Sequence, residues 1–184
     1  MDTQSTINEE HNKTTITPNT ANTKTNLPRG LSLKKTVLNY TDKLENLFAL
    51  RLYKIINKHC KINVDFKDDQ FCCVDYRIQS RATGNVMYLE LKSRDKKYAN
   101  VPTLFMGYRK MINIRNNNYN KCLLVWNFDT QLFYRVYDVK LIKYKQKIIQ
   151  NSPVIEVNKD ECSSGIENLV KEIYKILNID IIDE

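Results

Sequence analysis

Phe71-Cys72-Cys73-Val74-Asp75-Tyr76-Arg77-Ile78 and Val86-Met87-Tyr88-Leu89-Glu90-Leu91-Lys92 flank a turn candidate, Ala82-Thr83-Gly84-Asn85. Both segments are apolar and β-favouring, and Asp75, Glu90 and Lys92 interrupt them. A charge in such a setting is costly unless it is paired or binds a metal. Side chains alternate along a strand, so Glu90 and Lys92 share a face with Val86 and Tyr88. Met87, Leu89 and Leu91 then point into a core. On the first strand Cys73, Asp75 and Arg77 share one face. Two-residue loops are the commonest hairpin connections. A Thr83-Gly84 loop sets Asp75 opposite Lys92, and an Ala82-Thr83 loop sets it opposite Glu90. Either loop gathers Asp75, Glu90 and Lys92 on one face, whereas a three-residue loop slips the register and scatters them.

Two carboxylates and an ammonium on one face suit one chemistry. Carboxylate oxygens are hard ligands for Mg²⁺, which keeps several waters and bridges to phosphate. The metal lowers the pKa of a bound water and stabilises charge on phosphorus oxygens. A neighbouring lysine orients the water or offsets transition-state charge. The set amounts to a minimal kit for metal-assisted phosphodiester hydrolysis. The competing reading is a cross-strand ion pair on a partly exposed sheet.

Asp75 followed by Glu90-Leu91-Lys92 resembles the PD-(D/E)xK nuclease superfamily, which includes restriction enzymes and Holliday-junction resolvases. Asp65-Phe66-Lys67, Asp95-Lys96-Lys97 and Asp138-Val139-Lys140 also fit the loose tripeptide. Glu90-Leu91-Lys92 is the only Glu-x-Lys, and it alone has an apolar strand around it and an acidic strand before it. Val74 stands where the superfamily often has Pro. The resemblance covers roughly residues 36 to 138 and implies a helix–strand–strand–strand–helix–strand core. It implies Asp75, Glu90, Lys92 and Glu45 as catalytic residues, with the Leu91 carbonyl as a further metal ligand beside Asp75 and Glu90. The implied cofactor is Mg²⁺, with Mn²⁺ as a substitute. The implied substrate is DNA, including branched or recombination and repair intermediates, and a homodimer is compatible with it.

The flanking segments fit that order. Leu38 to Lys58 reads as a helix with an apolar stripe at Leu44, Leu47, Phe48, Leu52, Ile55 and Ile56. Glu45 neighbours that stripe, either as an extra ligand or as an acid near the first turn that favours the helix dipole. Asp42 is a weaker candidate. Ile62 to Phe66 reads as a first strand. Pro102-Thr103 opens a second helix carrying Leu104, Phe105, Tyr108, Met111 and Ile112, with Arg109, Lys110 and Arg115 on its other face. The superfamily draws a polar residue from this helix, and Tyr108, Arg109 and Lys110 are all candidates. Its Gln-x-x-x-Tyr signature is absent. Lys121 to Phe128 and Leu132 to Tyr137 read as strands. Lys140, Lys143, Lys145 and Lys147, interleaved with Ile142, Tyr144, Ile148 and Ile149, suit either nucleic acid or an edge element with a solvated face. A last helix begins near Ser164, where Ser164-Gly165-Ile166-Glu167 has capping-box spacing.

Composition sets the outer bounds. The 184 residues fit one domain, 31–184, after a polar tail at 1–30 whose eight Thr, five Asn and lack of periodicity read as disorder. No signal peptide or transmembrane-length segment is evident. The net charge of +8 is uneven. Residues 31–155 carry 23 basic and 10 acidic groups, while residues 156–184 carry three and eight. A basic core suits a polyanion, whose phosphates release counterions on contact. Arg94, Lys96, Lys97, Arg109 and Lys110 are the expected phosphate contacts. Cys60, Cys72, Cys73, Cys122 and Cys162 form no C-x-x-C, and His11 and His59 are isolated, which argues against zinc. Unpaired cysteines in apolar settings suggest reduced thiols and an intracellular setting, cytoplasm or nucleus. The abundance of Asn, Lys and Ile suits an AT-rich coding genome, such as that of a large DNA virus.

The expected fold is therefore a single α/β domain, with a mixed sheet of four or five strands flanked by helices and a C-terminal helix. The expected activity is metal-dependent DNA hydrolysis. The rival is a non-catalytic nucleic-acid-binding or assembly module on the same fold, in which the carboxylates pair with Arg77 and Lys92.

Overall fold

The computed structural model describes residues 31–33, 40–59, 64–68, 74–94, 100–128, 130–143 and 146–180. The tail at 1–30, Lys96, Lys97 and Cys60, Cys72 and Cys73 lie outside the described residues. Helix α1 spans Tyr40–His59 and is followed by β1 (Val64–Asp68), β2 (Tyr76–Ser80) and β3 (Val86–Ser93). Next come β4 (Thr103–Gly107), α2 (Tyr108–Asn116), β5 (Cys122–Asn127) and β6 (Leu132–Val136). The chain ends with β7 (Gln146–Ile149), β8 (Ser152–Asn158), a two-residue β9 (Ser163–Ser164) and α3 (Ile166–Leu177). The expected helix–strand–strand–strand–helix–strand order is present, with β4 inserted before α2. Among the described residues no helix is long and apolar enough to cross a membrane.

The main sheet runs β1-β2-β3-β5-β6-β9. Its strands are antiparallel except where β3 meets β5, which are parallel. A parallel pair covered on both faces needs a near-continuous apolar run. Accordingly Cys122, Leu123, Leu124, Val125 and Trp126 of β5 are all buried. One face packs Met87, Leu89 and Leu91 of β3 with Leu52 and Ile56 of α1 and Ile173 of α3. The opposite face packs Leu124 and Trp126 against Leu104, Met111 and Ile155. Leu47 departs from the expected stripe and is exposed.

The register of β2 on β3 pairs Tyr76 with Leu89 and Gln79 with Val86. Continued by one residue, it sets Asp75 opposite Glu90, one of the two expected alignments. The loop differs, because Ser80 and Asn85 close it through a 3.0 Å hydrogen bond and leave four residues between them. Four residues keep the same parity as two, so no face is exchanged. Gly84 takes φ +72° there, a left-handed conformation that glycine adopts without strain. β2 is also shorter than expected, and Asp75 lies in a bend just before it.

That turn also ends α3. Thr83 Oγ1 and Asn85 Nδ2 both donate to the Leu177 carbonyl, at 2.8 and 2.9 Å. Carbonyls in the last helical turn lack intrahelical donors and need such partners. Combining Thr83→Val with Asn85→Ala is expected to cost about 2 kcal/mol, read by urea denaturation. A loss below about 0.5 kcal/mol would show that water replaces both donors at no cost.

Two expected features are corrected. Thr103–Gly107 is a strand, not the start of a helix. Leu104 and Met106 alternate into the core while the segment pairs with β8, with Phe105 opposite Glu156. The β4-β8-β7 sheet is a second layer that the expected architecture lacked. It accommodates the Lys147 segment as an edge strand rather than a helix. The Ser164 capping box does not form either. Gly165 is the N-cap, no side chain caps the helix, and Ser164 belongs to β9.

Candidate active site

Asp75, Glu90 and Lys92 converge on the sheet face that carries the second core. Leu91 N–H donates to Asp75 Oδ2 at 2.8 Å, which fixes the carboxylate beside β3. Lys92 Nζ lies 2.8 Å from Glu90 Oε1 and 3.8 Å from Asp75 Oδ2. It also donates to the Leu91 carbonyl at 3.1 Å. The three oxygen donors singled out in the sequence therefore surround one ammonium.

A second ammonium completes the arrangement. Lys110 Nζ lies 3.1 Å from Glu90 Oε2 and 3.8 Å from Asp75 Oδ1. Of the three candidates on α2, only Lys110 is seen contacting the carboxylates. Arg109 and Arg94 are exposed, and Arg94 Nη1 donates to the Ser93 carbonyl at 3.0 Å. The reason the sequence left the choice among Tyr108, Arg109 and Lys110 open is physical. With a helix expected from Thr103, Lys110 lay mid-helix on a solvated face. In fact α2 starts at Tyr108 and has no acid in its first turn. A lysine there opposes the helix dipole, and Glu90 and Asp75 offset that cost.

Glu90 is fully buried and Asp75 nearly so. Burial pushes the Glu90 carboxyl above its usual range and Asp75 adds repulsion, while Lys92 and Lys110 pull the other way. Burial pulls the Lys92 ammonium down, but Glu90, Asp75 and Glu45 outweigh it and raise its pKa. Lys92 is thus held charged. Although Glu90 Oε1 faces Lys92, it accepts no hydrogen bond of adequate geometry.

Glu45 is buried on α1, not at a solvated helix edge. Its Oε1 accepts from Ser93 N–H at 3.4 Å, one residue beyond Lys92. Its charge also acts on the Lys92 ammonium. Among the described residues no three His, Cys, Asp or Glu side chains form a metal-holding group. Asp42 lies in the first turn of α1. Arg77 does not join the network that the rival reading assigned to it. Its Nη1 donates to Gln79 Oε1 at 2.9 Å.

The fold is similar to that of D212, a nuclease from a fusselovirus, over 80% of this chain and 98% of that chain. The TM-score is 0.52 and the sequence identity 11%, so the likeness is one of fold. No protein-family model matches the chain, and no curated protein does.

Proposed function

We propose that this chain is a metal-dependent nuclease of the PD-(D/E)xK type, hydrolysing phosphodiester bonds in DNA. The observation that carries the reading is the convergence of Asp75, Glu90 and the Leu91 carbonyl on one cationic centre. The likeness in fold to a viral nuclease supports it.

The donor set fits Mg²⁺, with Mn²⁺ as a substitute. All the donors are hard oxygens, and the buried Glu90 Oε1 already faces a cation, the Lys92 ammonium at 2.8 Å. Asp75, Glu90 and the Leu91 carbonyl would hold the ion, with Glu45 behind them through Ser93. When bound, the ion supplies an acidified water and a counter-charge for the phosphorus oxygens.

The chain's own residues do the remaining work. The Leu91 N–H holds the Asp75 carboxylate beside β3. Lys92, held charged, donates to the attacking water or to a phosphate oxygen. Lys110 is about a third exposed, at 36%, and is free to turn from Glu90 toward the substrate phosphate. Arg94, Lys96, Lys97 and Arg109 supply further phosphate contacts.

Lys110 also competes for the carboxylates in the free protein. Lys110→Gln is therefore expected to tighten Mg²⁺ binding about tenfold by relieving charge repulsion, while slowing cleavage. Titration calorimetry reads the first effect, and unchanged or weaker Mg²⁺ binding would show that Lys110 is no competitor.

A second reading rests on the same ion pairs. Both carboxylates have ammonium partners, as a non-catalytic nucleic-acid-binding or assembly module would require. Cleavage of labelled branched, duplex and single-stranded DNA with Mg²⁺ or Mn²⁺, compared with Glu90→Ala, decides between them. Cleavage by the wild-type protein alone establishes the nuclease. Salt-sensitive binding by both without cleavage establishes the module.

A further inference from the structure

We infer that Arg77 holds the backbone phosphate next to the scissile one, with Gln79 as its positioning residue. This deepens the nuclease reading and rests on it for the position of the scissile phosphate. Asp75 continues the register opposite Glu90 and Arg77 lies opposite Tyr88, and Tyr88 and Glu90 share one face of β3, so Asp75 and Arg77 lie on that face. The facing residues Tyr88 and Glu90 are two residues apart on β3, about 7 Å along a strand, comparable to the spacing of neighbouring phosphates. Across the hairpin the register sets Arg77 opposite Tyr88, and Tyr88 lies two residues before Glu90. Arg77 is thus one strand step from the catalytic carboxylates on the same face.

Its charge balance is the second argument. Asp75 and Glu90 are matched by Lys92 and Lys110, so that cluster is close to neutral. Arg77 is restrained by an amide instead. Its Nη1 donates to Gln79 Oε1 at 2.9 Å, and Gln79 Nε2 donates to the Gly84 carbonyl at 3.3 Å. An amide orients a guanidinium without neutralising it. The remaining donors of the guanidinium fork match phosphate oxygens. Tyr88 fixes the inner side of this strip, because it stacks on Tyr119 with ring centroids 3.9 Å apart and 19° between planes. Tyr119 follows α2, so the stack ties the strip to the helix that carries Lys110. A polyanionic strand entering the site thereby meets Lys110 and Arg77 in succession.

The test uses the full chain with Glu90→Gln as a common background, so that binding is read without cleavage. Anisotropy of labelled duplex and single-stranded DNA is measured in EDTA over a salt series. Adding Arg77→Gln should make the slope of log K against log salt shallower by about 0.9 on duplex or about 0.7 on single strands. Arg77→Lys should keep the slope. Gln79→Glu places a carboxylate against the guanidinium and should reproduce the loss with Arg77 still in place. This variant also covers the case in which Arg77→Gln fails to fold. Equal slopes for the background and both charge-removing variants would overturn the assignment, as would absence of DNA binding by the background protein. Wild-type cleavage scores the nuclease reading separately. Cleavage with unchanged slopes removes only the Arg77 subsite. Shallower slopes without cleavage keep Arg77 as a phosphate contact and remove the nuclease.

Discussion

Lys92→Met is expected to abolish DNA cleavage and to destabilise the protein by about 3 kcal/mol, because it leaves two buried carboxylates with a single ammonium. For a chain of this size that loss lowers the melting temperature by about 6–12 °C. The geometry explains why the effect should be large. Lys92 Nζ is the nearest cation to Glu90 Oε1, at 2.8 Å, and Glu90 is fully buried. Lys110 cannot take over without leaving Glu90 Oε2. If the same oxygens hold Mg²⁺, the ion should restore part of the lost stability by binding only the folded state. Thermal melts of wild-type and variant protein with Mg²⁺ or EDTA read both effects. A melting temperature within about 2 °C of wild type, roughly 1 kcal/mol or less, would refute the claim that Lys92 holds the carboxylate pair together.

Glu90→Gln should behave in the opposite way toward stability. The substitution preserves shape and removes the charge that burial opposes, and the two ammoniums it leaves behind are 19% and 36% exposed and reach water, so the melting temperature should be equal or higher. Cleavage should fall by more than about 100-fold, since losing even an outer-shell partner of a metal ligand costs 10–100-fold. Stabilisation by Mg²⁺ should disappear with it. This separation of stability from activity marks a residue kept for chemistry. A variant that cleaves at near wild-type rate would remove Glu90 from the site. A variant that melts far below wild type would make Glu90 a structural ion-pair partner, as the binding-module reading requires.

Much of the site was legible because strand periodicity is strict. Met87, Leu89 and Leu91 alternate with Tyr88, Glu90 and Lys92, so the charged face of β3 follows from counting. The parity of the β2–β3 register survived an error in loop length, since four residues and two place the same faces together. The stripe of α1 was legible through the helical period, and α1 and α3 pack on one side of the sheet. Leu47 shows the limit of that logic. Its spacing fits the stripe, but the packed surface does not extend to it.

Other features depended on partners distant in sequence. Residues 103–107 contain apolar side chains compatible with either a helical or an alternating period. The choice fell to β8, which offers paired backbone groups about fifty residues downstream. No local signal carries that information. Once β4 takes these residues, Gly107 becomes the junction and Lys110 enters the first turn of α2. Glu45 was legible as a buried acid, but only the packing of α1 on β3 gave it Ser93 N–H as a partner. The amino-acid sequence by itself determined which face of β3 carries charge and that its carboxylates needed cations, because alternation and desolvation are local rules. Only the tertiary structure decided which cations answer them, because Lys110 reaches Glu90 through a helix start set by long-range strand pairing.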